Sequence, residues 1–374
     1  MRKKTQIISG AAAVITAFYT AVFVYFYAAL PCNISAEKNA VPSGGFSAAR
    51  LKQTSDTDFA FCLGNIPIKF AGISYKERPK VIPGGMPFGI KIRSEGVMVI
   101  SVDDGSPAKN AGIRTGDVIM SVNGGRVTTN AEIAEQLQCS SSKATIVFRR
   151  GESEISVKLT PENNCGELKM GAWVRDSAAG IGTLTYCDPE DGSFGGLGHA
   201  VSDVTTGDAV PLGTGEITRA QIYDIIPGRE GCAGELCGII LPNSDIGTIS
   251  GNSSSGVFGK LEEPLSGEPI PVAFRQEVQT GTATVITTIE GSTPKEYSIE
   301  IERINLLDLN GSKAMVIRIT DSELLEKTGG IVRGMSGSPI IQNGRLAGAV
   351  THVLVNDPTR GYAVFAETML EDAA

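Results

Sequence analysis

A small nucleophile flanked by glycines lies near the end of this chain, at residues 334–339. The segment Gly-Met-Ser-Gly-Ser-Pro places Ser336 just before an apolar run, Ile340-Ile341. A serine hydroxyl attacks a carbonyl only when the backbone and the substrate approach closely, and glycine permits that approach. Gly, Ser and Pro also favour ordinary tight turns. The segment alone therefore predicts either an active-site turn or a plain loop between two strands.

A serine nucleophile needs a base, and the chain contains two histidines, His199 and His352. His199 lies in the glycine-rich stretch FGGLGHAVSD, where a side chain can project into a cleft. His352 lies in an apolar strand soon after the serine turn, a position more typical of a packed structural residue. We therefore predict His199 as the base. His352 remains open as a residue that lines the same pocket and contacts substrate.

An acid must orient the imidazole of the base. Local sequence does not separate the aspartates between the predicted base and the nucleophile, which are Asp203, Asp208, Asp224, Asp245, Asp308 and Asp321. The stretch Thr320-Asp321-Ser322-Glu323 also resembles a capping box that opens a short helix ending at Gly329-Gly330. From the residues alone, Asp321 is thus a helix cap or a catalytic acid.

The serine turn also predicts an oxyanion hole, formed by the backbone N–H groups of Gly334 and Ser336. Gly-x-Ser-x-Ser differs from the Gly-x-Ser-x-Gly elbow of α/β-hydrolases. The order His before Ser fits the chymotrypsin pattern, in which Ser336 takes the nucleophile's position in Gly-Asp-Ser-Gly-Gly-Pro. Ser338 is the lesser alternative, at the position of the second glycine.

The composition indicates a mainly β protein of two or three domains. The 374 residues are 41% hydrophobic and include 45 glycines and one tryptophan, as expected for many short strands joined by glycine turns. Seven cysteines lack the spacing of a zinc site, and we predict no metal and no cofactor. Cys232 and Cys237 could pair, but small buried residues are the default interpretation of these cysteines.

The first 32 residues predict a cytoplasmic basic tip and a transmembrane signal-anchor. Arg2, Lys3 and Lys4 precede an almost wholly apolar stretch at residues 7–30, which is long enough to cross a bilayer. A cleaved signal peptide is the competing interpretation. Without those three residues the chain carries 30 basic and 41 acidic residues, a net charge of −11, so nucleic acid is not an expected partner. Residues 33–57, rich in Ser, Ala and Gly, predict a tether within a segment of linker and short strands at 33–83.

Residues 84–163 closely resemble a PDZ domain around the stretch GSPAKNAGIRTGDVIMSVNG. The pattern predicts a short helix at residues 106–112, an Asn-Gly turn at 123–124 and a second helix at 130–137. The resemblance implies that a peptide adds beside the second strand, with its carboxylate held by the loop Pro87-Phe88-Gly89-Ile90. Residues 164–374 are dense in glycine and β-branched residues, and two six-stranded barrels would fit their length.

The anchor, the PDZ unit, GLGHAVSD and the final stretch GIVRGMSGSPIIQNGRLAGAVTHVLVNDPTRGYAVF occur in that order. Together they resemble the stage IV sporulation protein B family of serine peptidases. The resemblance implies that residues 164–374 form a chymotrypsin-like double β-barrel peptidase domain. The resemblance implies a triad of His199, Asp321 and Ser336, self-cleavage in trans and secretion into the space between forespore and mother cell. It also implies an inhibitory protein partner and a protein substrate, the regulatory subunit of an intramembrane metalloprotease, whose cleavage leads to sigma factor activation.

Two other functions compete with this one. A PDZ adaptor with a degenerate, non-catalytic peptidase fold would contain the same domains, and covalent labelling by a fluorophosphonate separates it from an enzyme. A general quality-control protease would degrade unfolded proteins broadly rather than cut one partner.

Overall fold

The computed structural model describes residues 2–38, 40–55, 58–140 and 142–373. The chain begins with a helix, α1 (Arg2–Ala29), whose side chains are described from residue 13 onward. Val14, Phe18 and Tyr19 are exposed on it. Among the described residues, no helix is both long and apolar enough to cross a membrane. The basic tip and the start of the predicted span lie outside the described side chains, so the anchor stays a prediction.

A five-stranded sheet occupies the region predicted as a tether. Its strands are β1 (Asn33–Glu37), β2 (Gly45–Phe46), β3 (Ala49–Gln53), β4 (Phe59–Leu63) and β5 (Ile66–Lys76). They lie in the order β1-β5-β4-β3-β2, with β1 parallel to β5. Ile34, Phe46 and Phe61 are buried in one core with residues from the C-terminal half of the chain. The tether prediction was wrong, because these scattered apolar residues show no local period and complete a core with distant residues.

The PDZ unit has the predicted helices and strands. The elements of this part of the chain are β6 (Lys80–Pro83), β7 (Pro87–Val102), α2 (Pro107–Asn110), β8 (Val118–Val122), β9 (Gly125–Arg126), α3 (Asn130–Gln138), β10 (Ala144–Arg150) and β11 (Ser153–Leu159). Ser106 caps α2, with Pro107 in its first turn. A capping box of Thr129 and Glu132 begins α3. Local signals in the sequence therefore located both helices.

A first barrel follows, and one of its strands is β7, whose later residues also belong to the PDZ unit. Its region contains β12 (Glu162–Asn164), β13 (Glu167–Lys169), β14 (Ala172–Cys187), β15 (Ser193–Gly196), β16 (Leu212–Ile226), β17 (Glu235–Ser253) and β18 (Gly256–Leu261). The path β7-β16-β17-β18-β15-β14 closes on itself, because β14 also pairs with β7. Val97 and Met98 of the same β7 pair with β8. The PDZ unit is thus an insertion between β7 and β14, rather than a separate unit ahead of the peptidase domain.

The predicted carboxylate-binding loop is instead part of the barrel wall. Pro87, Phe88, Gly89 and Ile90 lie in β7, opposite β14 on one side, and the last three also lie opposite β16 on the other. Phe88 and Ile90 are buried. The prediction that these residues bind a peptide carboxylate was therefore wrong. The prediction followed the PDZ pattern. In the structure, both edges of β7 at these positions are paired with strands that lie about 90 and 130 positions later in the chain.

The second barrel holds the serine turn. Its region contains β19 (Ile270–Pro271), β20 (Gly281–Thr287), β21 (Lys295–Ile304), β22 (Met315–Ile319), α4 (Ser322–Thr328), β23 (Pro339–Gln342), β24 (Arg345–Val353), β25 (Arg360–Phe365) and α5 (Ala366–Ala373). A closed ring forms in the order β20-β21-β22-β25-β24-β23. The mainly β, double-barrel prediction is confirmed. All seven cysteines, which lie within the described residues, are free.

Candidate active site

The serine turn joins α4 to β23 and needs its glycines. Gly334 and Gly337 have φ of 96° and 94°, a region that side chains disfavour. A Cβ atom at Gly337 would also lie 2.0 Å from the carbonyl oxygen of Thr183. The Gly-x-Ser-Gly spacing therefore reflects both backbone conformation and a close approach to β14.

Thr183 of β14 connects the serine turn to the segment that carries His199. Its N–H donates to the carbonyl of Ser336 at 3.0 Å, and its hydroxyl donates to the carbonyl of Gly334 at 2.8 Å. The carbonyl of Thr183 accepts from the N–H of Leu197 at 3.2 Å. One strand residue thus holds both predicted catalytic segments.

Ser336 and both histidines lie close together. The Ser336 hydroxyl donates to the carbonyl of Thr351 at 2.6 Å. The next residue, His352, stacks on His199 with ring centroids 4.9 Å apart and planes inclined by 35°. His352, which sequence reasoning left open, is therefore a neighbour of the predicted base.

The hydrogen bonding of His199 suits a general base. Its Nδ1 lies 2.8 Å from the carbonyl oxygen of Ala200. A carbonyl can only accept, so Nδ1 carries the proton and Nε2 keeps its lone pair. Burial lowers the pKa of His199, against the raising effect of the bond to Ala200. Burial, the charge of His199 and then that of Lys313 lower the pKa of His352 to about 4. Both rings are therefore neutral at neutral pH.

Asp321 caps a helix in this structure. Its Oδ1 accepts the N–H of Leu324 at 3.1 Å, and its Oδ2 accepts the N–H of Ser298 at 3.3 Å. Among the described residues, no carboxylate is hydrogen-bonded to His199. The structure thus does not join Asp321 to the predicted base, and its role as triad acid remains a prediction from the resemblance.

Asp203, another candidate acid, orders the loop that follows His199. Its side chain is fully buried and forms an ion pair with Arg175 of β14. Its Oδ1 also accepts the N–H groups of Thr205 and Thr206. Burial alone would raise the pKa of Asp203, but these amides and Arg175 together hold it below its usual value. This carboxylate supports the loop rather than the imidazole.

The serine turn leaves two backbone donors without a partner. Within the described part of the chain, no protein group accepts a hydrogen bond from the N–H of Gly334 or of Ser336, the two predicted oxyanion-hole donors. The alternative nucleophile, Ser338, is fully buried and donates its hydroxyl to Thr287 at 2.9 Å. Over the same described residues, no cluster of three or more His, Cys, Asp or Glu side chains could hold a metal ion.

Comparisons with known proteins agree with this architecture. The SpoIVB peptidase S55 model matches residues 166–370, and a PDZ domain model matches residues 98–150. The chain belongs to the SpoIVB peptidase S55 family. It is a serine peptidase with a PDZ domain, as the sequence predicted.

Curated relatives of this S55 peptidase match over a short segment. Serine protease HTRA1 of Xenopus tropicalis is 29% identical over 69 residues, which are 18% of this chain and 15% of that protein. Serine protease HTRA4 of Mus musculus is 39% identical over 69 residues, 18% of this chain and 14% of that protein. The chain thus covers only about a seventh of the length of these relatives.

Two solved structures are also similar to parts of this S55 peptidase. The active form of the Rv3671c protease from M. tuberculosis has a TM-score of 0.31 and 13% identity, over 53% of this chain and 75% of that one. The PDZ domain of an SdrC-like protein from Listeria monocytogenes has a TM-score of 0.20 and 20% identity, over 21% of this chain and 87% of that one.

Proposed function

We propose that this S55 peptidase cleaves peptide bonds with Ser336 as its nucleophile and His199 as its base. One observation supports the assignment above the others. The Ser336 hydroxyl is bonded to the carbonyl of Thr351, and the ring of the following residue, His352, stacks on His199. For catalysis the Ser336 hydroxyl has to turn from that carbonyl to the free Nε2 of His199.

The reaction follows from these positions. Oγ of Ser336 attacks the carbonyl carbon of the scissile bond, and its proton passes to Nε2 of His199. The N–H groups of Gly334 and Ser336 stabilise the oxyanion. His199 then gives the proton to the leaving amine as the C–N bond breaks. Water then attacks the acyl carbonyl carbon as its proton passes to His199. The bond between that carbon and Oγ breaks, Oγ of Ser336 takes the proton back, and the acid product leaves.

The acid is the weakest part of the proposed machinery. The carbonyl of Ala200 fixes the tautomer of His199, but it stabilises an imidazolium less than a carboxylate would. Asp321 would act as the triad acid only if one of its oxygens replaced the carbonyl of Ala200 as the partner of Nδ1 of His199. The base in the described geometry is therefore oriented without a full triad.

We also propose the cellular role that family membership suggests. The peptidase would be anchored in a membrane by its N-terminal segment, with its bulk outside the cytoplasm, between forespore and mother cell. It would cleave itself in trans and cut the regulatory subunit of an intramembrane metalloprotease, which leads to sigma factor activation. Exposed apolar side chains on α1, such as Phe18 and Tyr19, are consistent with contact between this helix and a membrane or another protein.

Labelling of the full chain with a fluorophosphonate tests the catalytic assignment. We expect one covalent adduct, lost in Ser336→Ala, strongly reduced in His199→Ala and retained in Ser338→Ala. An unlabelled but folded protein would instead be the PDZ adaptor. Labelling that persists in Ser336→Ala would show that another residue is the nucleophile.

A digestion experiment tests the proposed substrate class. We expect the purified chain to cut the metalloprotease regulatory subunit into a few discrete fragments and to leave unfolded casein largely intact. Broad degradation of casein would favour the quality-control protease. The Ser336→Ala variant is the matched control for contaminating proteases.

A further inference from the structure

An open strand edge runs along β14 towards the serine turn. One edge of β14 pairs with β7 over residues 172–183. The other edge pairs with β15 only from Leu184 onward. Residues 172–182 therefore have no neighbouring strand on that side among the described residues, although β14 continues from the PDZ unit into the first barrel.

The register identifies the unpaired backbone groups. Thr183 lies opposite Pro87, which has no N–H, so this is a non-hydrogen-bonded pair and the groups of Thr183 point away from β7. Because the direction alternates along a strand, the N–H and C=O groups of Ser177, Ala179 and Ile181 also point away from β7. Within the described residues, these outward groups meet no protein partner.

The open row leads directly to the catalytic residues. The next outward residue after Ile181 is Thr183, whose N–H bonds the carbonyl of Ser336. Two residues of strand span roughly 6.6 Å, so a chain lying on this edge ends beside the serine turn. Ser177, Ala179 and Gly180 are exposed, and a Cβ atom at Gly180 would meet nothing within 4 Å. Small side chains therefore leave room for a second strand.

A cavity of about 680 Å³ lies over the neighbouring strands β14, β7 and β16, next to the residues that precede α3. Its charged lining contains three cations and two acids: Lys91, Arg93, Arg126, Glu95 and Asp176. Lys91 and Arg126 each lie within 4.0 Å of an acidic partner. Among the described residues, Arg93 has no such partner.

Both acids of the cavity are already engaged. Glu95 forms an ion pair with Arg149 at 2.8 Å, and Asp176 accepts the N–H of Asn130 at 3.1 Å. Arg93 lies opposite Ser177 on β7 and is left as the free charge, one strand away from the open edge. Directly opposite residues place their side chains on the same face, so the long Arg93 side chain can reach across Ser177 towards that edge. The cavity therefore favours a partner with a negative side chain.

We propose that the open edge of β14 binds an extended segment of the substrate polypeptide, which adds as a strand and places an acidic side chain near Arg93. The inference rests on the proposed peptidase function. Backbone hydrogen bonds to Ser177, Ala179 and Ile181 supply affinity for a peptide of any sequence, and Arg93 adds a preference for an acidic side chain. Continuity with Thr183 and the serine turn identifies the occupant as substrate. The peptide is held along the barrel wall, so the scissile bond lies beyond the bound strand.

Peptide binding to the full chain with Ser336→Ala tests this site without requiring cleavage. The probe is a fluorescein-labelled ten-residue peptide of Thr, Ser and Val with one central Glu, and its counterpart has Lys instead. By fluorescence anisotropy we expect the Glu peptide to bind about tenfold more tightly. Arg93→Gln should remove most of that preference, whereas Arg114→Gln, an exposed arginine outside the cavity, should keep it. Equal binding of the two peptides, or no binding of either, would overturn the proposal.

Backbone pairing is tested separately. The N–H of Ala179 points away from β7, so Ala179→Pro removes this outward donor without breaking a bond to β7. Proline is tolerated at such a position of an edge strand. We expect it to weaken the Glu peptide about tenfold or more at an unchanged melting temperature. If the variant unfolds, a Glu peptide with N-methylated backbone amides on the normal chain makes the same test. Unchanged binding in these tests would refute strand addition. A dimer abolished by Ala179→Pro would instead make a second copy the occupant.

The catalytic assignment and the docking site on β14 can be refuted separately. If the chain binds the Glu peptide but is not labelled by a fluorophosphonate, the docking site stands and the catalytic assignment does not. If it is labelled but does not distinguish the peptides, the peptidase assignment stands and the docking site does not.

Discussion

At the scale of single residues, the proposed base His199 has no hydrogen-bonded carboxylate among the described residues, and this affects its titration. Burial lowers its pKa, and only the carbonyl of Ala200 opposes that shift. The neutral imidazole is the active form, so activity is retained until the pH falls through the lowered pKa. We expect the acid limb of kcat/KM to give an apparent pKa below the ordinary value of about 6.5. Peptide hydrolysis measured between pH 4 and 8 checks this.

His352 provides the control for that pH profile, because its imidazole also titrates and lies against the ring of His199. His352→Gln should leave the acid limb in place, since the limb belongs to His199. A limb at or above pH 7 would indicate that a carboxylate stabilises the imidazolium. A limb that moves in His352→Gln would assign the titration to the stacked pair.

Asp321 distinguishes a helix cap from a triad acid. Asparagine caps helices about as well as aspartate, whereas alanine costs about 1 kcal/mol. From the bonds to Leu324 and Ser298 we expect Asp321→Ala to lower the free energy of unfolding by about that amount, and Asp321→Asn to retain most of it. Turnover should change by less than about tenfold in both variants. A loss of about 10⁴-fold in kcat for Asp321→Asn would instead establish the catalytic acid.

At the scale of elements, β14 positions the serine turn through the hydroxyl of Thr183. Thr183→Val keeps the shape of the side chain but leaves the Gly334 carbonyl without its donor. Losing a buried hydrogen bond of this kind costs about 1 kcal/mol of stability. We expect kcat to fall about tenfold as the oxyanion donors shift. Thr288→Val, which removes the bond from an equally buried threonine to the carbonyl of Gly85 at 2.9 Å, is the matched control.

Comparison of these two variants separates catalysis from stability. Both should lower the urea midpoint by similar amounts, and only Thr183→Val should lower kcat. Equal losses of kcat would mean that the effect of Thr183 passes through general loosening of the fold. Kinetics at a urea concentration far below both midpoints makes the comparison.

The features that could be predicted from the sequence are those that depend on residues close to one another in the chain. The caps of α2 and α3 and the glycine turn around Ser336 depend on residues a few positions apart, and local pattern located them. The pairing of β7 with β14 joins residues about 90 positions apart, so no local signal placed residues 87–90 in a barrel. His199 could be chosen as the base from its glycine-rich setting. Its stacking on His352 could not be predicted, because a fold of two barrels creates that contact.

At the scale of the whole molecule, Arg78 joins the N-terminal sheet to the second barrel. Its guanidinium donates to both carboxylate oxygens of Glu277, at 2.8 and 3.0 Å, and to the carbonyl of Val272 at 2.8 Å. It also bonds Glu37 of β1 at 3.1 Å. The Arg78 side chain is only 9% exposed. The N-terminal sheet is therefore fixed to the peptidase by a buried ion pair.

Removing Arg78 should destabilise the chain in a pH-dependent way. Burial alone would raise the pKa of Glu277, but Arg78 and the N–H of Phe274 hold it below its usual value. Its ionised form therefore adds stability above pH about 4.3, which is lost as the pH falls through the lower folded value. Arg78→Met leaves this carboxylate poorly compensated. At pH 7 we expect a loss of about 3 kcal/mol, the lower end for a broken buried pair, because Arg345 still lies 2.9 Å from Glu277.

The free energy of unfolding lost in Arg78→Met should be smaller in acid. Once Glu277 is protonated, both proteins contain a neutral acid at this position, and the difference between them should fall to about 1 kcal/mol or less near pH 3. Urea unfolding of the normal chain, Arg78→Met and Arg114→Met at pH 7 and pH 3 measures it. Arg114→Met, which removes an exposed cation, should have little effect at either pH. A loss of equal size at both pH values would mean that Arg78 acts through packing on the ring of Phe274 rather than through its charge.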